Sequence, residues 1–101
     1  MSIYLILLTA GEGKRLKSSE AKPFIKVNNK TLLDHSIDKL ERIREIKKIV
    51  LVYNKKHKKR ILHINKGKII KIQGGKTRKQ STFLALKSIK RYKCKKVLIH
   101  D

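Results

Sequence analysis

Apolar and polar positions along the chain change period several times, and the changes mark out alternating strands and helices. Residues 3–9 are almost continuously apolar, which suits a strand covered on both faces. A polar, glycine-containing loop follows over residues 11–22. Thr31-Leu-Leu-Asp34 has the form of a capping box, with Asp34 standing where Glu or Gln is usual, and the helix behind it aligns Leu33, Ile37, Leu40 and Ile43 on one face. Residues 48–53 predict a second strand, and residues 55–64 a short basic helix with Ile61, Leu62 and Ile64 available for packing. Residues 68–72 predict a third strand. Thr77-Arg-Lys-Gln80 is a second capping box, opening a helix with Leu86 and Ile89 turned inward. Residues 96–100 predict a fourth strand.

The resulting order is β-α-β-α-β-α-β, which implies one mostly parallel sheet with right-handed crossovers. A Rossmann-like, three-layer α/β/α arrangement with strand order 3-2-1-4 is expected. The C-terminal ends of the first and fourth strands then form the topological switch point, where ligands bind in such sheets. The loop after strand one and Asp101 after strand four would face each other there. At 101 residues the chain holds one domain and one core.

Charge complicates this picture. The net charge is +21, and no acidic residue occurs between Glu45 and Asp101. Clustered cations can signal a nucleic-acid surface. Here Lys greatly outnumbers Arg, whose planar fork is the better reader of phosphate and bases. The aromatic residues Tyr4, Phe24, Tyr53, Phe83 and Tyr92 lie far apart in sequence and make no stacking platform. Compositional drift therefore explains the charge better than specific nucleic-acid recognition, and the 55–60 run reads as a solvated helix face. No apolar run approaches the ~18 residues that span a bilayer, and no leader pattern surrounds the first strand. The single Cys94 fits a reducing compartment, so a cytoplasmic protein without membrane partners is expected.

Four segments carry candidate chemistry. In Thr9-Ala10-Gly11-Glu12-Gly13-Lys14-Arg15, two glycines allow close backbone approach to a phosphate and Arg15 adds a charged fork. This is neither a Walker A loop nor the dinucleotide fingerprint, since Leu16 occupies the third glycine position. Lys22, at the far end of the same loop, could join Arg15 in clamping a triphosphate and stabilising a phosphoryl transition state. Gly74-Gly75-Lys76-Thr77-Arg78-Lys79-Gln80-Ser81 leads a glycine pair into a capped helix, where Gly75 backbone groups and the Ser81 hydroxyl could read a base edge. His100-Asp101 puts a carboxylate at a strand end, where it could hold Mg²⁺ on phosphate oxygens.

These pieces, in this order and spacing, resemble the 2-C-methyl-D-erythritol 4-phosphate cytidylyltransferase family of the non-mevalonate isoprenoid pathway. The matching text is Thr9-Ala-Gly-Glu-Gly-Lys-Arg-Leu16, Lys22-Pro-Phe24, Leu32-Leu-Asp-His-Ser36, Gly74 to Ser81, and Val97-Leu-Ile-His-Asp101. The glycine loop is shared with many sugar-nucleotide pyrophosphorylases, so the second glycine segment and the terminal His-Asp are the more diagnostic parts. The resemblance implies transfer of CMP from CTP to a polyol phosphate with release of pyrophosphate. It implies Arg15 and Lys22 as catalytic residues, Thr9, Ala10, Gly75 and Ser81 at the cytosine, Gly11 and Gly13 at the phosphates, and Asp101 near the ribose and Mg²⁺. Such a reaction needs positive charge on the phosphates and no covalent nucleophile.

The chain departs from the family pattern in places. Thr9 stands where Ala is usual, Pro23 where Gln is usual, and Lys76 where a small or acidic residue can stand. The family continues past His-Asp with an Ala-Ala-Arg-Pro-like segment, a dimerisation arm and basic residues for the acceptor, and this sequence ends before them. Negligible turnover by these 101 residues alone is therefore expected. A pentitol-phosphate cytidylyltransferase and an inactive fragment that binds polyanions are the alternatives. His35, His57 and His63 lack companions at metal-ligand spacing, and Cys94 lacks a catalytic His pattern. Tyr92 is expected to pack at a helix end.

Overall fold

The computed structural model describes residues 3–9, 24–65, 67–90, 92 and 96–100. Four strands form one parallel sheet: β1 (Ile3–Leu8), β4 (Ile46–Tyr53), β5 (Ile69–Gln73) and β6 (Lys96–His100). Their order is β5-β4-β1-β6, which is the expected 3-2-1-4 arrangement once a small separate hairpin is set aside. α1 (Leu32–Glu41) and α2 (Arg78–Ile89) cover opposite faces.

Alternation along the strands divides the core in two. Leu5, Leu7, Ile49 and Leu51 join Leu33 and Ile37 of α1, together with Phe24, Ile61 and Ile64. Tyr4, Ile6, Val50 and Val52 join Ala85 and Ile89 of α2 on the other face. Strands covered on both sides need apolar residues at successive positions, and this is why β1 and the end of β4 read as unbroken apolar runs. Each fully buried Leu or Ile contributes about 1.5–3 kcal/mol, so these central strands are the most stable part of the molecule.

Several sequence expectations need correction. Ile89 is buried as expected, but Leu86 is 42% exposed, and Ser81 and Ala85 complete the buried face of α2 in its place. With Ala85 fully buried, the inner face of the helix is built from small residues that permit close approach to the sheet. Ile43 and Leu62 are exposed. Ile43 lies beyond the end of α1, and the basic segment is a 3-10 helix, Lys55–Ile61, whose geometry ends before Leu62. β4 begins at Ile46, with a register shift that sets Ile3 opposite Ile46 and Tyr4 opposite Lys48. The extra residue, Lys47, is exposed while Ile46 is buried. β5 starts one residue late. Lys68 turns its ammonium to the end of α1, donating to the carbonyls of Glu41 (2.9 Å) and Ile43 (3.1 Å), as a cation at a helix C-terminus should.

The hairpin of β2 (Lys26–Val27) and β3 (Lys30–Thr31) is not anticipated by the hydrophobic pattern. Its turn residues Asn28 and Asn29 have φ of 54° and 68°, the left-handed pair that tight hairpins require and that Asn tolerates. His35 bonds the Val27 carbonyl (2.7 Å) and Lys30 pairs with Asp38, so the hairpin is clipped to α1. Thr31 caps α1 by accepting from the Asp34 amide (3.0 Å). The Asp34 carboxylate is paired with His63 (3.0 Å) at the end of the basic segment. Tyr92 packs on Tyr4 with ring centroids 5.7 Å apart, just past α2 as expected. Among the described residues no helix is long and apolar enough to cross a membrane.

Candidate functional site

Thr9 and Gly74, far apart in sequence, are both anchored to the C-terminal end of β4. Thr9 follows β1, and its amide donates to the Val52 carbonyl at 2.9 Å. The Thr9 hydroxyl donates to the same oxygen at 2.7 Å. On the other side of β4, the Gly74 amide donates to the Tyr53 carbonyl at 2.8 Å. Val52 and Tyr53 are consecutive, so one strand end fixes both segments. The Thr9 side chain is buried and tied to β4. The buried hydroxyl is therefore satisfied by the sheet.

The segment after Gly74 is bonded residue by residue. The Gly75 amide donates to the Ser81 hydroxyl oxygen at 3.0 Å, and Ser81 is only 2% exposed. The Lys76 amide donates to Gln80 Oε1 at 2.8 Å. The Gln80 amide in turn donates to Thr77 Oγ1 at 3.1 Å, which caps α2. The expected capping box is thus shifted: Thr77 accepts as predicted, but the Gln80 side chain reaches back one residue further, to Lys76.

Three successive amides, those of Gly74, Gly75 and Lys76, are therefore taken up by groups of the protein itself. Because each amide N–H is antiparallel to the carbonyl of its own peptide plane, the carbonyls of Gln73, Gly74 and Gly75 are oriented away from those partners. What this turn can offer a ligand is acceptors. The Ser81 hydroxyl accepts from Gly75 and keeps its proton for donation. Gly75 is needed here for space. A Cβ at this position would lie 2.7 Å from Gln80 Cβ and 2.9 Å from Gln80 Oε1. Lys76, Arg78 and Lys79 are all exposed around the turn, and α2 has no acid in its first turn, so the region attracts anions.

Of the site residues read from sequence, the structure brings Gly75 and Ser81 into direct contact and places Thr9 across β4 from them. Ala10, Gly11, Gly13, Arg15, Lys22 and Asp101 lie outside the described residues. Their flanks are placed: Thr9 precedes the glycine loop, Phe24 follows Lys22-Pro23, and His100 of β6, directly before Asp101 in sequence, pairs with Leu7 of β1. Phe24 is buried, with Arg60 stacked over its ring at 4.7 Å and the His57 ring 4.7 Å away. Partial burial lowers the His57 pKa below its ordinary value, with the neighbouring Lys56 charge adding to the effect. Sequence reading missed the part played by Gln80, and the only signal for it was its capping-box position.

A parallel sheet of order β5-β4-β1-β6, with a glycine-bearing turn leading from β5 into a capped helix, defines a Rossmann-like α/β domain of the kind that handles nucleotides. The model of the 2-C-methyl-D-erythritol 4-phosphate cytidylyltransferase family matches residues 3–101. The chain belongs to that family. It is 48% identical over 101 residues to the bifunctional enzyme IspD/IspF of Pelagibacter ubique (strain HTCC1062), covering 100% of this chain and 27% of that protein. It is 42% identical over 101 residues to the 2-C-methyl-D-erythritol 4-phosphate cytidylyltransferase of Wigglesworthia glossinidia brevipalpis, covering 98% of this chain and 43% of the relative. The crystal structure of the Francisella tularensis cytidylyltransferase superposes with a TM-score of 0.76 at 30% identity, covering 100% of this chain and 44% of that one. The chain thus spans less than half the length of these relatives.

Proposed function

We infer that this chain carries the CTP-binding part of a 2-C-methyl-D-erythritol 4-phosphate cytidylyltransferase. In this reading CMP passes from CTP to the acceptor phosphate, giving the CDP-methylerythritol product and pyrophosphate. The observation that carries it is the convergence of Thr9 and Gly74 on consecutive carbonyls of β4. The base lies between the two turns. Its exocyclic amine is a donor, and the outward carbonyls of the Gly74–Gly75 turn complement it. The same edge of a uracil presents an acceptor and would meet like with like. The Ser81 hydroxyl donates to a base oxygen.

Gly11 and Gly13 bring backbone amides to the triphosphate, and Arg15 and Lys22 hold the charge that builds on the α-phosphate. The attacking oxygen is a phosphate oxygen of the acceptor, already anionic, so the chain need supply no base. Asp101 would hold Mg²⁺, which supplies charge neutralisation on the phosphates when bound. A hard cation held by one carboxylate together with substrate oxygens needs no cluster of protein ligands. The setting is the cytoplasm, in line with the lone Cys94.

Thermal denaturation of the chain with CTP, UTP, ATP or GTP and Mg²⁺ tests the reading. CTP should raise the midpoint most, and equal shifts from all four would refute base recognition. Pyrophosphate release with methylerythritol phosphate present reports the transfer step.

A further inference from the structure

We propose that Gln80 is a positioning residue that sets the hydrogen-bonding polarity of the base-reading turn, an assignment that rests on the CTP-binding reading. The peptide between Gly75 and Lys76 carries the Gly75 carbonyl on one side and the Lys76 amide on the other. Gln80 Oε1 holds that amide at 2.8 Å. Rotation of this peptide changes ψ of Gly75, which has no Cβ to resist it, together with φ of Lys76. A flip would point the Lys76 amide outward and the Gly75 carbonyl inward. The turn would then present a donor in place of an acceptor, and its preference would move from an amine-bearing pyrimidine toward a carbonyl-bearing one.

Two features make Gln80 the lock. Its own amide is fixed by the Thr77 cap at 3.1 Å, so its backbone starts from a defined position on the first turn of α2. Its Cβ packs against Gly75 closely enough to leave no room for a methyl group there. The preceding peptide is held independently by Ser81, and the one before it by Tyr53. Gln80 thus holds the third of three successive peptides. It acts through the turn and makes no contact with the base itself.

The test compares the wild-type chain with Gln80→Met, which keeps length and helix propensity but loses the acceptor, and Gln80→Glu, which keeps an acceptor at a helix N-terminus where an acid is favourable. Calorimetric titration with CTP and UTP in Mg²⁺ gives the selectivity ratio, which a purely structural role would leave unmoved. Gln80→Met should lower the CTP/UTP ratio roughly three- to tenfold, the worth of about one hydrogen bond. Gln80→Glu should bring it back to within about twofold of wild type. A Gln80→Met chain that binds CTP with the wild-type ratio overturns the role of Gln80 and leaves the site standing. A wild-type chain with no preference for CTP removes the site reading, and the lock with it. Amide hydrogen exchange needs no variant: the exposed Lys76 amide should be protected in the wild-type chain, and exchange at the unprotected rate would overturn the lock.

Discussion

Replacing Gly75 with Ala is the sharpest physical test of the turn. The added Cβ would stand 2.7 Å from Gln80 Cβ and 2.9 Å from Gln80 Oε1. Carbon atoms in comfortable contact are about 3.5–4.0 Å apart, so turn and helix must separate by roughly 1 Å. Gln80 Cβ is fixed to the α2 backbone and cannot swing aside. Forced overpacking of this kind costs about 1–3 kcal/mol. Separation also stretches the Lys76–Gln80 and Gly75–Ser81 bonds, each worth about 0.5–1.5 kcal/mol. Against this, Ala restricts the unfolded chain and returns about 0.4–1 kcal/mol. The net loss is about 3 kcal/mol, or about 12–24 °C in melting temperature for a domain of this size. Gly67→Ala is the control, because a Cβ there meets nothing within 4 Å. Urea denaturation should place the Gly75→Ala midpoint at least about 1 M below that of Gly67→Ala. Coincident midpoints would refute the close approach on which the turn's geometry rests.

Further outcomes follow from the same contacts. Thr9→Val keeps the side-chain shape but loses the hydroxyl bond to Val52, and should cost about 1 kcal/mol in chemical denaturation. Asn29→Val places a β-branched residue at φ 68° and should cost about 1–2 kcal/mol, whereas Asn29→Gly should be close to neutral in the same assay. His57 has a lowered pKa in the fold, so the unfolded chain takes up its proton first. Its contribution is complete above the ordinary imidazole value of 6.5 and is lost as pH falls below it. Melting temperature should therefore decline on acidification from pH 6.5 toward 5, and His57→Gln should flatten that part of the profile.

The sheet order was legible because each central strand must bury both faces, and only unbroken apolar runs such as Ile49-Val-Leu-Val52 do that. Helix starts were legible for a local reason, since Thr31 and Thr77 satisfy the first amides themselves. The α2 packing face was not legible. Phe83, Leu84 and Leu86 are larger and more apolar than Ser81 and Ala85, yet it is the small residues that face the sheet. The β2–β3 hairpin gave no hydrophobic alternation because each strand has two residues and only Val27 is apolar. At the site, motif spacing located the second glycine segment but not the direction of its peptides. A Gln at the capping-box position can reach either of two successive amides, and only the fold shows that it takes Lys76.

The end of β4 explains why the two turns can act on one ligand. Consecutive carbonyls of a strand point to opposite sides, and here Val52 serves the β1 side while Tyr53 serves the β5 side. Thr9 and Gly74 therefore flank β4 at one strand spacing each, about 4.8 Å, and lie about 10 Å apart. That separation is fixed by a ladder running through Ile49, Val50, Leu51 and Val52, all fully buried. On the proposed reading, a base beside the Gly74–Gly75 turn would meet groups that Tyr53, Ser81 and Gln80 already hold in place. The same geometry couples ligand to fold. A nucleotide that bridges both turns binds only when β1, β4 and β5 are in register, so at a hundred times its Kd it should add about 2.7 kcal/mol to the stability of the whole sheet. A ligand held by the first glycine loop alone would leave the β4–β5 ladder as easy to open as before. Amide protection along β5 with and without CTP separates the two cases: a rise at Ile70 and Ile72 is the mark of a base that spans β4.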